Sequence, residues 1–371
     1  MRIGIDARFL THPQRGGFKT YTRTVIAALA EADGSSRYVL YTDRPADVSL
    51  RLPDNFTVTP VSGPNAVVRE QLLLPIAMKR DGIDVAHFPC NTAPIVFGPR
   101  MAVTIHDTIP LRDMNCDSRR LNLRQSLLRS YWRAVIPRSA RKADLVITDS
   151  GHVREDLRTR LDLSADELRV IPLAVDPAFA GDAPGLPPSG MDPRTPFVLA
   201  FASADGRKNH LGVIKAYRAA SSECPGLRLA LVCSHPGVRA GIKCAPVDGV
   251  VPLGPLAFDE VLWLYRNALA LVFPSFDEGF GLPPLEAMAC GTPVIASNTG
   301  ALPEVAGECA VCVNPLSVES IADGMRLVIR DGVLRESLIR RGRERAARFS
   351  REHMGRELVA AYSDAAKGMM G

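Results

Sequence analysis

FPSFDEGFGLPPLEAMACGTPVIASNTGALPEV, residues 273–305, sets two carboxylates, Glu278 and Glu286, eight positions apart around a loop of glycine and proline. Between them run Gly279, Phe280, Gly281, Leu282 and the pair Pro283-Pro284. The prolines predict a helix start, because the ring fixes φ near the helical value and first-turn N–H groups lack a helical acceptor anyway. The glycines let backbone N–H groups come close to a ligand. A loop of this kind feeding a helix N-terminus suits a phosphate, since unpaired N–H groups and the helix dipole both favour an anion there. Glu286 is then expected in the first helical turn, as an acceptor for sugar hydroxyls. The arrangement suggests a nucleotide-sugar site, although spacing alone leaves open an ordinary loop with two unrelated glutamates.

Outward from this stretch, short apolar, β-branched runs alternate with helix-period segments. Strands are expected at Arg2–Asp6, Tyr38–Thr42, Thr57–Val61, Val85–Phe88, Ala102–His106, Leu145–Thr148 and Val170–Leu173. They resume at Phe197–Ala202, Arg228–Cys233, Ala270–Phe273 and Val294–Ser297. Helices are expected between them, among them Phe18–Glu31, Arg69–Lys79, Arg119–Val135, Asn209–Ser221 and Pro284–Cys290. Such alternation predicts an α/β protein of parallel sheets covered by helices on both faces. Proline and glycine crowd residues 176–196, DPAFAGDAPGLPPSGMDPRTP, which read as a surface linker. The chain is therefore divided into an N-terminal domain, 1–176, and a C-terminal domain, 177–348. Each reads as a doubly wound, Rossmann-like unit, and such sheets hold ligands in the crevice beyond their strand C-termini. Residues 349–362, FSREHMGRELVAAY, have the period of an amphipathic helix.

Composition narrows the function. A length of 371 residues suits two domains, and 46% hydrophobic with 23% charged residues is an ordinary globular balance. The net charge of +5 fits phosphorylated substrates or an anionic membrane surface and is too small to argue for nucleic acid. MRIGIDARFL lacks the apolar core of a signal peptide, and no apolar run reaches the ~18 residues that cross a bilayer. The expected location is cytoplasmic, or peripheral on the inner face of the cytoplasmic membrane. Among eight cysteines only Cys309 and Cys312 form C-x-x-C, with no second pair or nearby histidine to complete a zinc site, so both are expected as small core residues.

Four further constellations stand out. Gly206-Arg207-Lys208-Asn209 follows the strand FVLAFAS, and two cations opening a helix there suit a diphosphate, although a solvated turn reads equally well. His106-Asp107 ends the strand AVTIHD; the histidine is structural or a polar contact in a site, with Asp107 as the group that orients its ring. Arg15-Gly16-Gly17-Phe18-Lys19-Thr20-Tyr21 follows the first strand, and its glycines permit a tight turn at a helix N-terminus. Lys19 there meets a phosphate or simply water. Residues 118–143 carry eight Arg or Lys and no acidic residue. Leu121, Leu128, Trp132 and Val135 share one helical face of that segment, so it is either an ordinary surface helix or a contact with anionic membrane. No G-x-G-x-x-G, P-loop, H-E-x-x-H or D-x-D occurs, which weakens dinucleotide, P-loop and zincin readings and removes the usual carboxylate clamp for a metal–diphosphate complex.

Residues 273–305 resemble the E-x7-E signature of the retaining glycosyltransferases of glycosyltransferase family 4, including the CGTPVIAS and GALPEV that follow. Gly206–Asn209, HDTIP from His106, and the Gly16-Gly17 loop with Tyr21 resemble the matching motifs of that family. The resemblance implies a GT-B architecture, two Rossmann-like domains facing across a cleft, with helix 349–371 crossing back to the N-terminal domain. It implies that Arg207 and Lys208 neutralise a leaving nucleoside diphosphate and that Glu286 binds the ribose. Glu278 would contact the transferred sugar, the Gly16-Gly17 loop would lie beside the donor diphosphate and the acceptor, and His106, facing the donor sugar or its phosphate, would line the acceptor pocket with them. It further implies metal-independent transfer with retention, from a GDP-mannose or UDP-hexose type donor to a glycan or lipid-linked acceptor, without a cofactor. A double displacement with Glu278 as nucleophile stays open. So do a sugar-nucleotide epimerase of the same architecture and a non-catalytic sugar-nucleotide binding protein.

Overall fold

The structure, a computed structural model, describes residues 1–12, 16–45, 51–112, 123–204 and 206–368. Two compact units emerge: the described residues up to Ala174 together with the C-terminal stretch from Arg351, and Val175–Ser350. In the first, seven strands form one parallel sheet: β1 (Arg2–Asp6), β2 (Arg37–Thr42), β3 (Phe56–Pro60), β4 (Val85–Phe88), β5 (Arg100–Ile105), β6 (Leu145–Thr148) and β7 (Leu168–Val170). Their order is β3-β2-β1-β4-β5-β6-β7. The second unit repeats the pattern with β8 (Phe197–Ala202), β9 (Arg228–Cys233), β10 (Val250–Leu253), β11 (Leu271–Phe273), β12 (Val294–Ser297) and β13 (Ala310–Val313), ordered β10-β9-β8-β11-β12-β13. Each sheet reverses its winding once, between β1 and β4 and between β8 and β11, and these switch points are where such sheets take ligands. Central strands bury both faces, which is why β1 and β8 read as unbroken apolar runs: Ile3, Ile5, Val198, Leu199 and Ala200 have no exposed surface.

Several expectations need correction. The stretch 176–196 is mostly exposed, as a surface segment should be, yet it is anchored on the second unit: Phe179 is buried, with ring centroids 5.2 Å from Phe258 and 5.7 Å from Tyr265, and Leu186 N–H donates to Asp259 O at 3.0 Å. Its prolines and glycines forbid regular structure but do not prevent packing on the second unit. Cys309, in the turn before β13, is half-buried, and Cys312 is exposed because β13 is the edge strand of its sheet; neither is a core residue. The helix expected over Arg69–Lys79 contains a π turn at Arg69–Leu73, where Leu74 N–H reaches Arg69 O. Pro75 explains the widening, since its ring clashes with the carbonyl four residues back and offers no N–H.

The basic helix is described over Leu123–Lys142, and Leu121 with the rest of 118–122 lies outside the described residues. Val135 and Ile136 are buried and Trp132 packs against the core, but Leu128 is exposed beside exposed Leu127. Arg129 and Arg133 donate to Arg112 O at 2.9 and 3.2 Å.

Candidate functional site

At the switch point of the second unit the segments that follow β8 and β11 meet. After β8 the chain turns through Gly206 (φ +72°) and Asn209 (φ +53°) into the helix His210–Ala220. Asn209 holds this turn by donating from Nδ2 to Pro315 O at 2.7 Å, and Phe276 N–H donates to Arg207 O at 3.0 Å, tying it to the loop after β11. Arg207 and Lys208 then face Glu278. Lys208 Nζ lies 2.8 Å from Oε1, Arg207 Nη1 lies 3.1 Å from Oε2, and Arg207 Nη1 also reaches Asp277 O at 3.3 Å. The Lys208 ammonium sits 4.1 Å from the Phe273 ring centroid. Glu278 is only 7% exposed. Burial alone would raise its carboxyl, but the Lys208 and Arg207 cations hold it below the usual value.

The loop after Glu278 is shaped by two glycines. Gly281 (φ +110°) caps the helix Leu282–Ala289, and a Cβ there would stand 2.4 Å from Leu302 Cδ2. Gly300 (φ +65°) packs so closely on Glu278 that a Cβ would lie 3.0 Å from its N. The helix begins two residues earlier than expected, so Glu286 is its fifth residue and not part of the first turn, a correction to the reading above. Pro283 and Pro284 remove two of the first-turn donors, leaving Leu282 and Leu285 to supply N–H groups. Glu286 Oε2 accepts from Tyr265 Oη at 2.8 Å, and burial pushes the Glu286 carboxyl up to about 7. Tyr265 was not legible as its partner; a tyrosine in an apolar helix reads as core.

The other predicted residues lie in the first unit. Gly16 caps the helix Gly17–Ala32, and a Cβ on either Gly16 or Gly17 would meet nothing within 4 Å. Arg15 lies outside the described residues. Lys19 Nζ donates to His12 O at 2.7 Å. His106, at the end of β5, is fixed on three sides: its N–H donates to Asn91 Oδ1 at 2.8 Å, Nδ1 lies 2.6 Å from Asp149 Oδ2, and Nε2 lies 2.9 Å from Pro89 O. The carboxylate on its ring is thus Asp149, not Asp107, whose Oδ1 accepts from Ile109 N–H at 3.0 Å. Asp149 ends β6, the strand beside β5. A carboxylate just past a neighbouring parallel strand was a signal available in the sequence. A buried ion network, Asp6 with Arg8 and Arg69, and Arg8 with Glu70, also lies past β1, with Arg69 Nη1 2.9 Å from Asp6 Oδ1.

Two doubly wound units of parallel strands, one holding Arg207 and Lys208 against Glu278 at its switch point, define the GT-B class of protein. Family models agree: "Glycosyl transferases group 1" matches residues 187–345 and "Glycosyltransferase Family 4" matches residues 15–179. The chain belongs to the group 1 glycosyltransferases of family 4. It is 29% identical to O-antigen chain mannosyltransferase B of Escherichia coli, over 62% of this chain and 64% of that protein. It is 32% identical to the MMP alpha-(1->4)-mannosyltransferase of Mycolicibacterium hassiacum, over 62% and 56%. These matches thus span less than two thirds of the relatives' own lengths. The fold is shared with sucrose-phosphate synthase from Thermosynechococcus elongatus, at TM-score 0.73 and 20% identity over 98% of both chains. It is shared too with Anabaena HepE in complex with UDP and glucose, at TM-score 0.71 and 16% identity over 98% of this chain and 100% of that one.

Proposed function

We propose that the protein transfers a sugar from a nucleoside-diphosphate sugar to a glycan or lipid-linked acceptor in cell-surface polysaccharide biosynthesis, with retention and without a metal ion or cofactor. The observation that carries this reading is the clasp of Arg207 and Lys208 around Glu278 at the β8/β11 switch point. A diphosphate competes with the carboxylate for these two cations. As it takes them, Glu278 is released toward the hydroxyls of the transferred sugar, and Glu286 accepts from the ribose. Gly279, Phe280, Gly281 and Leu282 supply the backbone against the phosphates. The bond from the anomeric carbon to the phosphate oxygen breaks, and the acceptor oxygen bonds to the same face of that carbon. The acceptor proton passes to a phosphate oxygen of the leaving group, whose charge Arg207 and Lys208 neutralise. Gly16, Gly17 and His106 belong to the acceptor side. Mannose from GDP-mannose is favoured over UDP-hexoses, because the relatives are named as mannosyltransferases.

No helix among the described residues is long and apolar enough to cross a membrane. A lipid-linked acceptor would be met at an anionic surface through the basic helix, where Leu127 and Leu128 are exposed. The decisive experiment incubates the protein with GDP-mannose and UDP-hexoses and a lipid-phosphate acceptor extract, with and without EDTA. Transfer that survives EDTA is expected. A strict metal requirement overturns the metal-free mechanism, sugar interconversion without acceptor points to an epimerase, and binding without turnover points to a binding protein.

A further inference from the structure

We propose that Asp149 is a positioning residue that, with the Pro89 carbonyl, commits both ring nitrogens of His106 as donors, so that His106 serves the transfer reaction as a fixed positive charge and never as a base. A carbonyl oxygen only accepts, so Nε2, 2.9 Å from Pro89 O, carries a hydrogen. Nδ1 lies 2.6 Å from Asp149 Oδ2, the short distance of a charge-assisted bond. One proton is shared in that bond: burial raises the Asp149 carboxyl while the ring cation lowers it, and with the proton on Nδ1 the ring is an imidazolium beside an ionised carboxylate. Asp149 is 2% exposed, and its Oδ1 has no hydrogen-bond partner among the described residues, so the ring cation is the charge that compensates an ionised Asp149.

The cradle is built for this. Asn91, 5% exposed, takes a left-handed backbone (φ 62°) that is unusual for a residue with a side chain, and its Oδ1 accepts the His106 N–H. The Tyr21 ring meets the imidazole edge-on with centroids 4.4 Å apart. Every titratable group facing the ring bears on its charge. Asp149 and Asp107 favour it, Tyr21 stays neutral because burial raises its phenol, and buried His87, pushed down to about 3, adds no competing charge. Burial alone would lower the His106 ring, but the Asp149 carboxylate prevails and raises it.

The assignment of this charge to sugar transfer rests on the function proposed above; the state of the ring does not. The test follows the ring nitrogens by 15N NMR of histidine-labelled protein between pH 5 and 9, with His106→Gln identifying the signals. Two protonated nitrogens are expected to persist well above the ordinary histidine titration in the native chain, and Asp149→Asn is expected to bring that titration down. An ordinary titration near 6.5 in the native chain overturns the inference. Where transfer is measurable, Asp149→Asn should lower kcat at least tenfold with the donor KM within threefold, and unchanged kcat beside a neutral ring overturns the role. Should no donor support transfer in the native chain, the proposed function fails while the native titration still decides the state of His106.

Discussion

Glu278 and Glu286 stand eight residues apart in the chain, and their carboxyls are shifted in opposite directions. Glu278 is held down by Lys208 and Arg207 against the pull of burial, whereas Glu286, half-buried with the Tyr265 hydroxyl as a partner, is pushed up by desolvation to about 7. Replacing Glu278 by Gln, or Lys208 by Ala, is expected to lower turnover at least ~10-fold, the scale of one lost electrostatic contact to a transition state. Donor binding should survive Glu278→Gln, since both cations remain. Initial rates with isotherms check this, and near-native turnover in both variants would refute the roles. Glu286 sets a pH dependence. Its folded value lies above the 4.5 of a free glutamate, so the folded protein binds a proton that the unfolded chain releases, and this group's contribution to stability declines from about 4.5 to about 7. The ionised form is the better acceptor for a ribose diol. Nucleoside-diphosphate affinity is therefore expected to rise with pH through about 7, the value to which Glu286 is raised, and to lose this slope in Glu286→Gln. Calorimetric titration with GDP and UDP at several pH values measures it.

Among the elements, the loop into Leu282–Ala289 depends on two positive-φ glycines, and this conformation could be expected from FGLPP only in outline. Gly281→Ala forces a Cβ to 2.4 Å from Leu302 Cδ2 at φ +110°. It is expected to cost about 1–3 kcal/mol, as strained left-handed positions do, and to weaken nucleotide binding. Urea unfolding and isotherms on one preparation read both effects, and unchanged stability would show that the loop relaxes freely. The π turn at Arg69–Leu73 was foreshadowed by Pro75 inside an otherwise helical period. Its consequence was not foreshadowed: Arg69 and Glu70 are both buried and reach charged partners beyond β1. A helical period places apolar residues; it does not report a widened turn that buries ions.

For the whole molecule, the helix Arg351–Lys367 belongs to the first unit although the second unit precedes it in the chain. It packs on Gly17–Ala32 so tightly at Gly355 that a Cβ would lie 2.3 Å from Ala28 O. Tyr362 meets buried His87 at 2.7 Å, and Arg169 pairs with Asp364 at 2.9 Å. Gly355→Leu is expected to destabilise the first unit by about 1–3 kcal/mol or more, as overpacking does. Hydrogen exchange should show lost protection in β1 and β4, while nucleotide-diphosphate binding by the second unit is retained. Equal loss of protection across both units would show that they unfold as one.

The residues themselves determined that this is a parallel α/β protein of two units, because strands buried on both faces must be apolar runs and helices must keep their own period. They also singled out the groups proposed to carry chemistry: Arg207 and Lys208 at a strand end, Glu278 and Glu286 around a glycine loop, His106 after β5. Tertiary structure alone decided the partnerships. Lys208 meets Glu278 seventy positions away because the switch in winding sets β8 beside β11, and His106 meets Asp149 because β5 and β6 are neighbours. Period and composition report what each segment buries, but which strand ends share a site depends on strand order, and that order is settled by packing across the whole sheet.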